Sequence, residues 1–337
     1  MNLLAADVGG TKTLFMLATH GPGGFSFGEP LRFDSGTYPD FETMAGAFLD
    51  QSGVAAGQLR AACLAVAGPV EQLADGQRRA RLTNLPWTLD SERLSRRLGI
   101  PAVALINDFE GIAHSLPVLA PAALATLQAG VPDSGAPVLL VGAGTGFGVC
   151  TICPRDGAVL PGEGGHAGFA PSDPQQARLW QFVAGETGRC TREHLLSGSG
   201  IGRIAAFLQA EGQTPGEALA GAMQREDPAA ALTRFALNGE DPFARQTLTL
   251  FVRIYGAQTG DLALATLPAG GVYVAGGIAP RILPLMQNGD FLTAFMHKPP
   301  MTQLMRRFPV HVITDTHAGL LGAARHAARQ AGEAGAP

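Results

Sequence analysis

Apolar residues fall in short runs rich in β-branched side chains, separated by stretches where they recur every three or four positions. This alternation of two periodicities predicts an α/β chain. Strands are expected at 3–6, 62–66, 102–106, 138–141, 149–152, 272–275 and 310–313. Three helices stand out. Asp90 can cap a helix over 91–98 that Gly99 ends. Asp241 and Pro242 supply a cap and a first-turn proline for a long helix with Leu248, Phe251, Val252 and Tyr255 on one face. Leu320, Leu321, Ala324 and Ala328 mark a third near the C-terminus. The Pro-, Ala- and Gly-rich segment 116–137 is read as a domain crossing, with a second crossing near Thr314.

Length agrees with two domains, since 337 residues at roughly 150 per domain give about two. Lysine and arginine (24) nearly balance aspartate and glutamate (28), leaving −4, so no broad field gathers nucleic acid or an anionic membrane. The arginines between Arg78 and Arg97 are read as a solvated face. No leader-like segment is evident at the N-terminus, and no apolar run is long and clean enough to span a bilayer. The four cysteines are sparse and set among apolar residues, which suits a reducing cytoplasm. Cys150 and Cys153 have the spacing of half a zinc site. However, positions three apart in a strand face opposite sides, and no second pair follows. Glycine is the outlier: 45 of 337 residues is about 13%, against a usual share of about 7%.

Many of those glycines sit at strand ends. Asp7-Val8-Gly9-Gly10-Thr11-Lys12 lies between two apolar runs, the pattern of a hairpin rather than of the strand–loop–helix of a Walker or dinucleotide motif. Backbone N–H groups at such a bend can approach an anion, Thr11 and Lys12 add donors, and Asp7 can hold a hydrated magnesium ion. An ordinary glycine hairpin would look the same in isolation. The device returns at 142–148, with Gly144, Thr145 and Gly146 at its tip, and a third turn, Gly276-Gly277, follows the strand at 272–275. Two similar hairpins predict two related domains with phosphate loops facing a cleft. Asn107-Asp108 ends a strand, where open α/β sheets bind ligands. Asp108 there can take a proton from an attacking hydroxyl, and Asn107 suits a polyol, although Asn-Asp is also a common helix cap. Glu163 and His166, three apart in a glycine-rich loop, can grip adjacent hydroxyls. Glu193 adds a third polar contact or is simply a solvated helix residue.

In order, these motifs resemble the bacterial glucokinase family of the actin-like sugar-kinase superfamily. The resemblance is carried by the 7–13 loop, Thr83-Asn84-Leu85-Pro86-Trp87, Ile106-Asn107-Asp108-Phe109 and the 142–148 loop. It continues through Leu160-Pro161-Gly162-Glu163-Gly164-Gly165-His166, Phe169-Ala170-Pro171, Glu193 with Leu196-Ser197-Gly198, Ala275-Gly276-Gly277-Ile278 and Gly319-Leu320-Leu321-Gly322. It implies two ribonuclease-H-like α/β lobes around a central cleft: a small domain over 1–117, completed by a C-terminal helix in 314–337, and a large domain over 118–313. It further implies ATP-dependent phosphorylation of D-glucose to glucose 6-phosphate, the first step of glycolysis, in a cytoplasmic homodimer. Asp108 would be the catalytic base, and Thr83, Asn84, Asn107, Glu163, His166 and Glu193 would hold the sugar. Asp7, Val8, Gly9, Gly10, Thr11, Lys12, Gly144, Thr145 and Gly146 would hold the ATP phosphates, with Mg²⁺ on Asp7 through water. Gly276 and Gly277 would lie beside the adenosine.

Two departures from the family pattern are visible: a longer 69–76 turn, and Asp315-Thr316-His317-Ala318 where Asn-Pro often precedes the last Gly-Leu-Leu. The cysteine-rich zinc loop of the related repressor/kinase group does not follow His166, so no structural zinc is expected. Rival readings are a kinase of the same fold for mannose or an N-acetyl amino sugar, a sugar-responsive regulator, and an actin-like filament ATPase. A phosphate loop starting at residue 7 leaves no room for an N-terminal DNA-binding motif. A filament ATPase would have no use for Asn107, Asp108, Glu163 and His166.

Overall fold

The computed structural model describes residues 1–74, 76–82 and 85–333. They form two compact units, one taking in Met1–Pro121 and the chain from Asp315 onward, the other Ala122–Thr314.

In the first unit the sheet runs Gly24–Phe27, Lys12–Gly21, Asn2–Val8, Leu59–Val66, Ala102–Asn107, with Leu31–Asp34 also paired to Lys12–Gly21. Asn2–Val8, Leu59–Val66 and Ala102–Asn107 are parallel, and Lys12–Gly21 folds back antiparallel as the partner of the first strand. Side chains alternate across this sheet. Leu4, Ala6 and Val8 join a core built on Phe15, Phe33, Phe41 and Phe48, in which the rings of Phe15 and Phe48 stack at 4.9 Å. Leu3, Ala5, Cys63 and Ala65 face the alanine-rich side of the helix Ala318–Glu333.

The second unit repeats the order. Val159–Gly162, Phe147–Ile152, Val138–Ala143, Gly271–Ala275 and Val310–Ile313 lie side by side. Again three strands are parallel, and the first of them carries an antiparallel hairpin partner. The segment 116–137 is more than a crossing: Leu124–Gln128 is a strand that extends this sheet antiparallel to Val310–Ile313. Its apolar residues are too few and too diluted by proline and glycine to be seen as a strand by pattern alone. The long helix Pro242–Thr266 buries Leu248, Phe251, Val252 and Tyr255, capped by Asp241 as expected. The Tyr255 hydroxyl oxygen accepts from the Ala143 N–H at 3.0 Å and so pins the end of the strand that leads into the glycine hairpin. Complete burial pushes that phenol well above its usual pKa.

The arginine-rich stretch is not simply solvated. Arg78, in a small sheet with Val70–Gln72 and Thr88–Asp90, donates to the Leu105 carbonyl at 3.0 Å and lies 3.6 Å from Glu110. Arg93 reaches Glu42 at 2.8 Å. Paired with acids scattered through the sequence, these arginines tie elements together, which a local charge count does not reveal.

One contact fixes the first unit's working edge. The helix Asp108–Ser115 crosses the helix Ala318–Glu333 backbone to backbone, because a Cβ on Gly322 would sit inside the van der Waals surface of the Gly111 carbonyl oxygen. Gly322→Ala should therefore lower the unfolding free energy by about 3 kcal/mol. Gly332→Ala, at an exposed helical position with open space around it, should be neutral or stabilising. Urea unfolding of both variants separates crowding from helix propensity.

Candidate active site

In the first unit the parallel strands end in register, Asp7 beside Ala65 and Val66 beside Asn107. Asp7, at the end of Asn2–Val8, and Asp108, just after Ala102–Asn107, thus stand at the carboxyl edge two strands apart, about 10 Å at ordinary strand spacing. The hairpin between them and the sheet is tight: Gly9 N–H donates to the Lys12 carbonyl at 3.0 Å. Below it, the buried Ser35 hydroxyl donates to the Gly9 carbonyl at 2.8 Å and contacts Thr13 Oγ1 at 3.0 Å. Val8 is buried, Gly10 is half-buried, and Thr11 and Lys12 are exposed, so the donors of the loop are open to a ligand.

Burial, followed by repulsion from Asp108, raises the Asp7 carboxyl from its ordinary value to about 6, against the pull of Lys12 and His317. Burial also raises Asp108, although hydrogen bonds from Phe109 and Asn107 oppose the shift. Of the two uses foreseen for Asn107, the structure shows the helix cap. Its Oδ1 caps the helix by accepting the Phe109 N–H at 2.9 Å, and its Nδ2 donates to the Gly68 carbonyl at 3.0 Å. Asp108 opens the helix with its carboxylate accepting the same N–H at 2.8 Å and its residue surface exposed. Thr83 and Asn84 lie outside the described residues. Next to them, Trp87 is anchored by a 3.1 Å bond from its indole N–H to the Pro39 carbonyl.

The second unit gathers the other polar groups. His166 Nε2 lies 3.7 Å from Glu163 Oε2, and its Nδ1 lies 3.9 Å from Glu193 Oε1. Glu163 is open to solvent, with 90% of its side chain exposed, whereas Glu193 is at 33%. Glu193 is not a solvated helix residue. Its Oε2 accepts the Phe147 N–H at 2.8 Å, and a Cβ on Gly146 would fall 2.5 Å from the same oxygen. The hairpin tip thus lacks a side chain where this carboxylate enters. Gly144, Thr145 and Gly146 form that tip, closed by Gly144 N–H to the Gly146 carbonyl at 2.8 Å. Gly276 has φ +85°, and a Cβ there would strike the Ala143 carbonyl oxygen, so the third turn packs directly on the second hairpin. Gly277 is exposed beside it.

These features can be set against known proteins. A model of the glucokinase family matches residues 4–330. The chain belongs to the glucokinase family. A glucokinase of Trichormus variabilis is 39% identical, the match covering 97% of this chain and 99% of its own length. The glucokinase of Chromobacterium violaceum is 34% identical, over 96% of this chain and 89% of its own. Among solved structures, a glucokinase from an Antarctic psychrotroph superposes with a TM-score of 0.84 at 28% identity, covering 97% of this chain and 99% of that one. A glucokinase of Streptomyces griseus, solved with glucose and AMPPNP, has the same fold at a TM-score of 0.63 and 19% identity, covering 98% of this chain and 100% of that one. The actin-like sugar-kinase fold and its two ribonuclease-H-like sheets follow from this membership.

Within this glucokinase two groups beside the expected residues went unassigned from sequence. His317 bears electrostatically on Asp7, and it lies in the 315–318 segment that departs from the family pattern. Arg192, next to Glu193, donates to the Gly164 carbonyl at 3.0 Å, inside the loop that carries Glu163 and His166. Its position beside an expected site residue was the one available signal.

An acid whose folded pKa exceeds its unfolded value is favoured by folding when protonated, so its contribution falls as pH rises between the two values. For Asp7 that window runs from about 4 to about 6. In the absence of ligands, Asp7→Asn should exceed the parent in stability by about 3 kcal/mol at pH 7.5. The difference should vanish near pH 4, as read by urea unfolding at the two pH values. A difference that does not change with pH would remove Asp7 as its source.

Proposed function

We propose that this protein transfers the γ-phosphoryl group of ATP to the 6-hydroxyl of D-glucose, opening glycolysis, with Asp108 as the base. Membership of the glucokinase family supports the overall reaction. The observation that carries the residue assignment is the position of Asp108, an accessible carboxylate at the carboxyl end of a parallel strand, with its basicity increased by burial. As the sugar oxygen attacks phosphorus, Asp108 accepts its proton. Asn107, Glu163, His166 and Glu193 hold the remaining hydroxyls, the carboxylates accepting and the imidazole and amide donating. Thr83 and Asn84 are assigned to the same pocket by resemblance. The hairpin amides after Asp7 and at Gly144–Gly146, with Thr11 and Lys12, take the phosphates, and Gly276 and Gly277 take the adenosine.

Magnesium fits the acidic group in the first unit. Asp7 offers one hard carboxylate, its pKa raised first by burial and then by the neighbouring charge of Asp108. Among the described residues no cluster of three ligating side chains exists that would suit a transition metal. Magnesium keeps most of its waters and asks for one or two carboxylates. Bound there, it would supply charge neutralisation for the phosphates. What the chain's own residues contribute is alignment of hydroxyl and phosphoryl and a place for the proton.

We further infer a cytoplasmic homodimer. No helix among the described residues is long and apolar enough to cross a membrane. Light scattering on the purified protein tests the dimer.

Asp108→Asn should lower kcat by about 10²- to 10⁴-fold with glucose still bound. Glu163→Ala and His166→Ala should act mainly on the glucose KM. Glucose-dependent ADP production with magnesium, repeated with mannose, fructose and N-acetylglucosamine, reads each effect. Near-normal turnover by Asp108→Asn would overturn the assignment of the base, and a stronger response to another sugar would overturn glucose as substrate.

A further inference from the structure

The chain contains only two lysines, against 22 arginines. Lys12 lies in the first glycine hairpin. Lys298 is elsewhere in sequence and is nearly buried, with 10% of its side chain exposed and its Nζ 2.6 Å from Asp261 Oδ1. Its stem crosses the long helix at Gly260, where a Cβ would fall 2.7 Å from Lys298 Cε. The other Asp261 oxygen accepts from Gln258 Nε2 at 3.2 Å. Gln258, fully buried, also donates to the Ala170 carbonyl at 3.0 Å and accepts from Arg192 Nε at 3.0 Å. Arg192 in turn donates from Nη1 to the Gly164 carbonyl and from its backbone N–H to the Ala167 carbonyl, each at 3.0 Å.

This unbroken chain of hydrogen bonds, charge-assisted at the Arg192 guanidinium and the Asp261 carboxylate, ends on three carbonyls spaced three residues apart, Gly164, Ala167 and Ala170. The first two lie on either side of His166, and Glu163 immediately precedes the first. A glycine-rich loop has little of its own to hold a conformation, so external bonds must supply the order. At its far end the relay carries an ion pair, Lys298 with Asp261. Removing the cation alone leaves the carboxylate without its counter-charge, whereas neutralising both members together leaves no unpaired charge in the pair.

We propose that Arg192, Gln258, Asp261 and Lys298 are positioning residues that hold the Glu163–His166 loop at the spacing needed to recognise a sugar, so that glucose affinity is set in part from Lys298. The proposal rests on the sugar-binding reading of Glu163 and His166 given above. None of the four is assigned contact with substrate. A purely structural role would change stability and all kinetic constants together, whereas positioning of the sugar loop acts on the glucose KM alone.

Lys298→Met keeps the stem and removes the charge. It should raise the glucose KM about tenfold, with kcat and the ATP KM within about twofold of the parent. Hydrogen exchange at 164–170 should quicken. The double variant Lys298→Met with Asp261→Asn restores neutrality while keeping an oxygen for Gln258, and it should recover most of the KM and the exchange protection. Glu163→Ala and His166→Ala are measured alongside. Unchanged exchange at 164–170 in Lys298→Met overturns the relay whatever the kinetics. Faster exchange with an unchanged glucose KM overturns its connection to the sugar, as does a proportional change in kcat and both KM values. If Glu163→Ala and His166→Ala leave the glucose KM unaltered, the sugar-pocket reading itself fails, and a tenfold rise in Lys298→Met would then have to act through other groups, which also overturns the relay.

Discussion

Burial of the Asp7 carboxyl at the sheet edge it shares with Asp108 is the constraint around which the first unit's edge is arranged. Asp7, partly buried, is lifted to about 6 chiefly by burial and then by the charge of Asp108, which is itself exposed. A chain selected for stability alone would replace one of them. Everything around the pair keeps them from drifting apart or turning outward. In-register parallel strands set their separation, Asn107 caps the helix that Asp108 begins, and the glycine crossing at Gly111 and Gly322 seats that helix against the C-terminal one. A buried carboxylate of this kind is destabilising to the fold when ionised.

Rigidity in the second unit has a different origin. There the polar groups ride on a loop and a short helix rather than on strand ends, so their order comes from hydrogen bonds that reach in from elsewhere. Glu193 is fixed by the Phe147 amide, and Arg192 crosses to the loop carrying Glu163 and His166. The hairpin is fixed from beneath by Tyr255.

Much of the fold was legible because it depends on local rules. The strand periodicities, the caps at Asp90 and Asp241 and the glycine that ends the 91–98 helix all depend on neighbours in sequence. Placement was legible where a motif set a polar residue at a strand end, as for Asp7, Asn107 and Asp108. What could not be read were pairings between distant residues. The strand at Leu124–Gln128 exists because Val310–Ile313 offers it an edge, the Arg78 and Arg93 bonds depend on Glu110 and Glu42, and the burial of Lys298 depends on the absence of a side chain at Gly260. Glu193 was ambiguous in sequence for the same reason, since its partner is an amide 46 residues away.

The repeated strand order has one more consequence. Aligning the two hairpins by their register sets Asp7 against Gly142 and, on the returning strand, Thr13 against Phe147, so that Lys12 falls against Gly146. One copy of the same backbone device therefore carries an anion and a cation at its base, and the other carries neither. Symmetry of topology is retained while symmetry of charge is broken at two positions. A duplicated element has thereby become two distinct tools, one that can act by charge and one that can offer only amides.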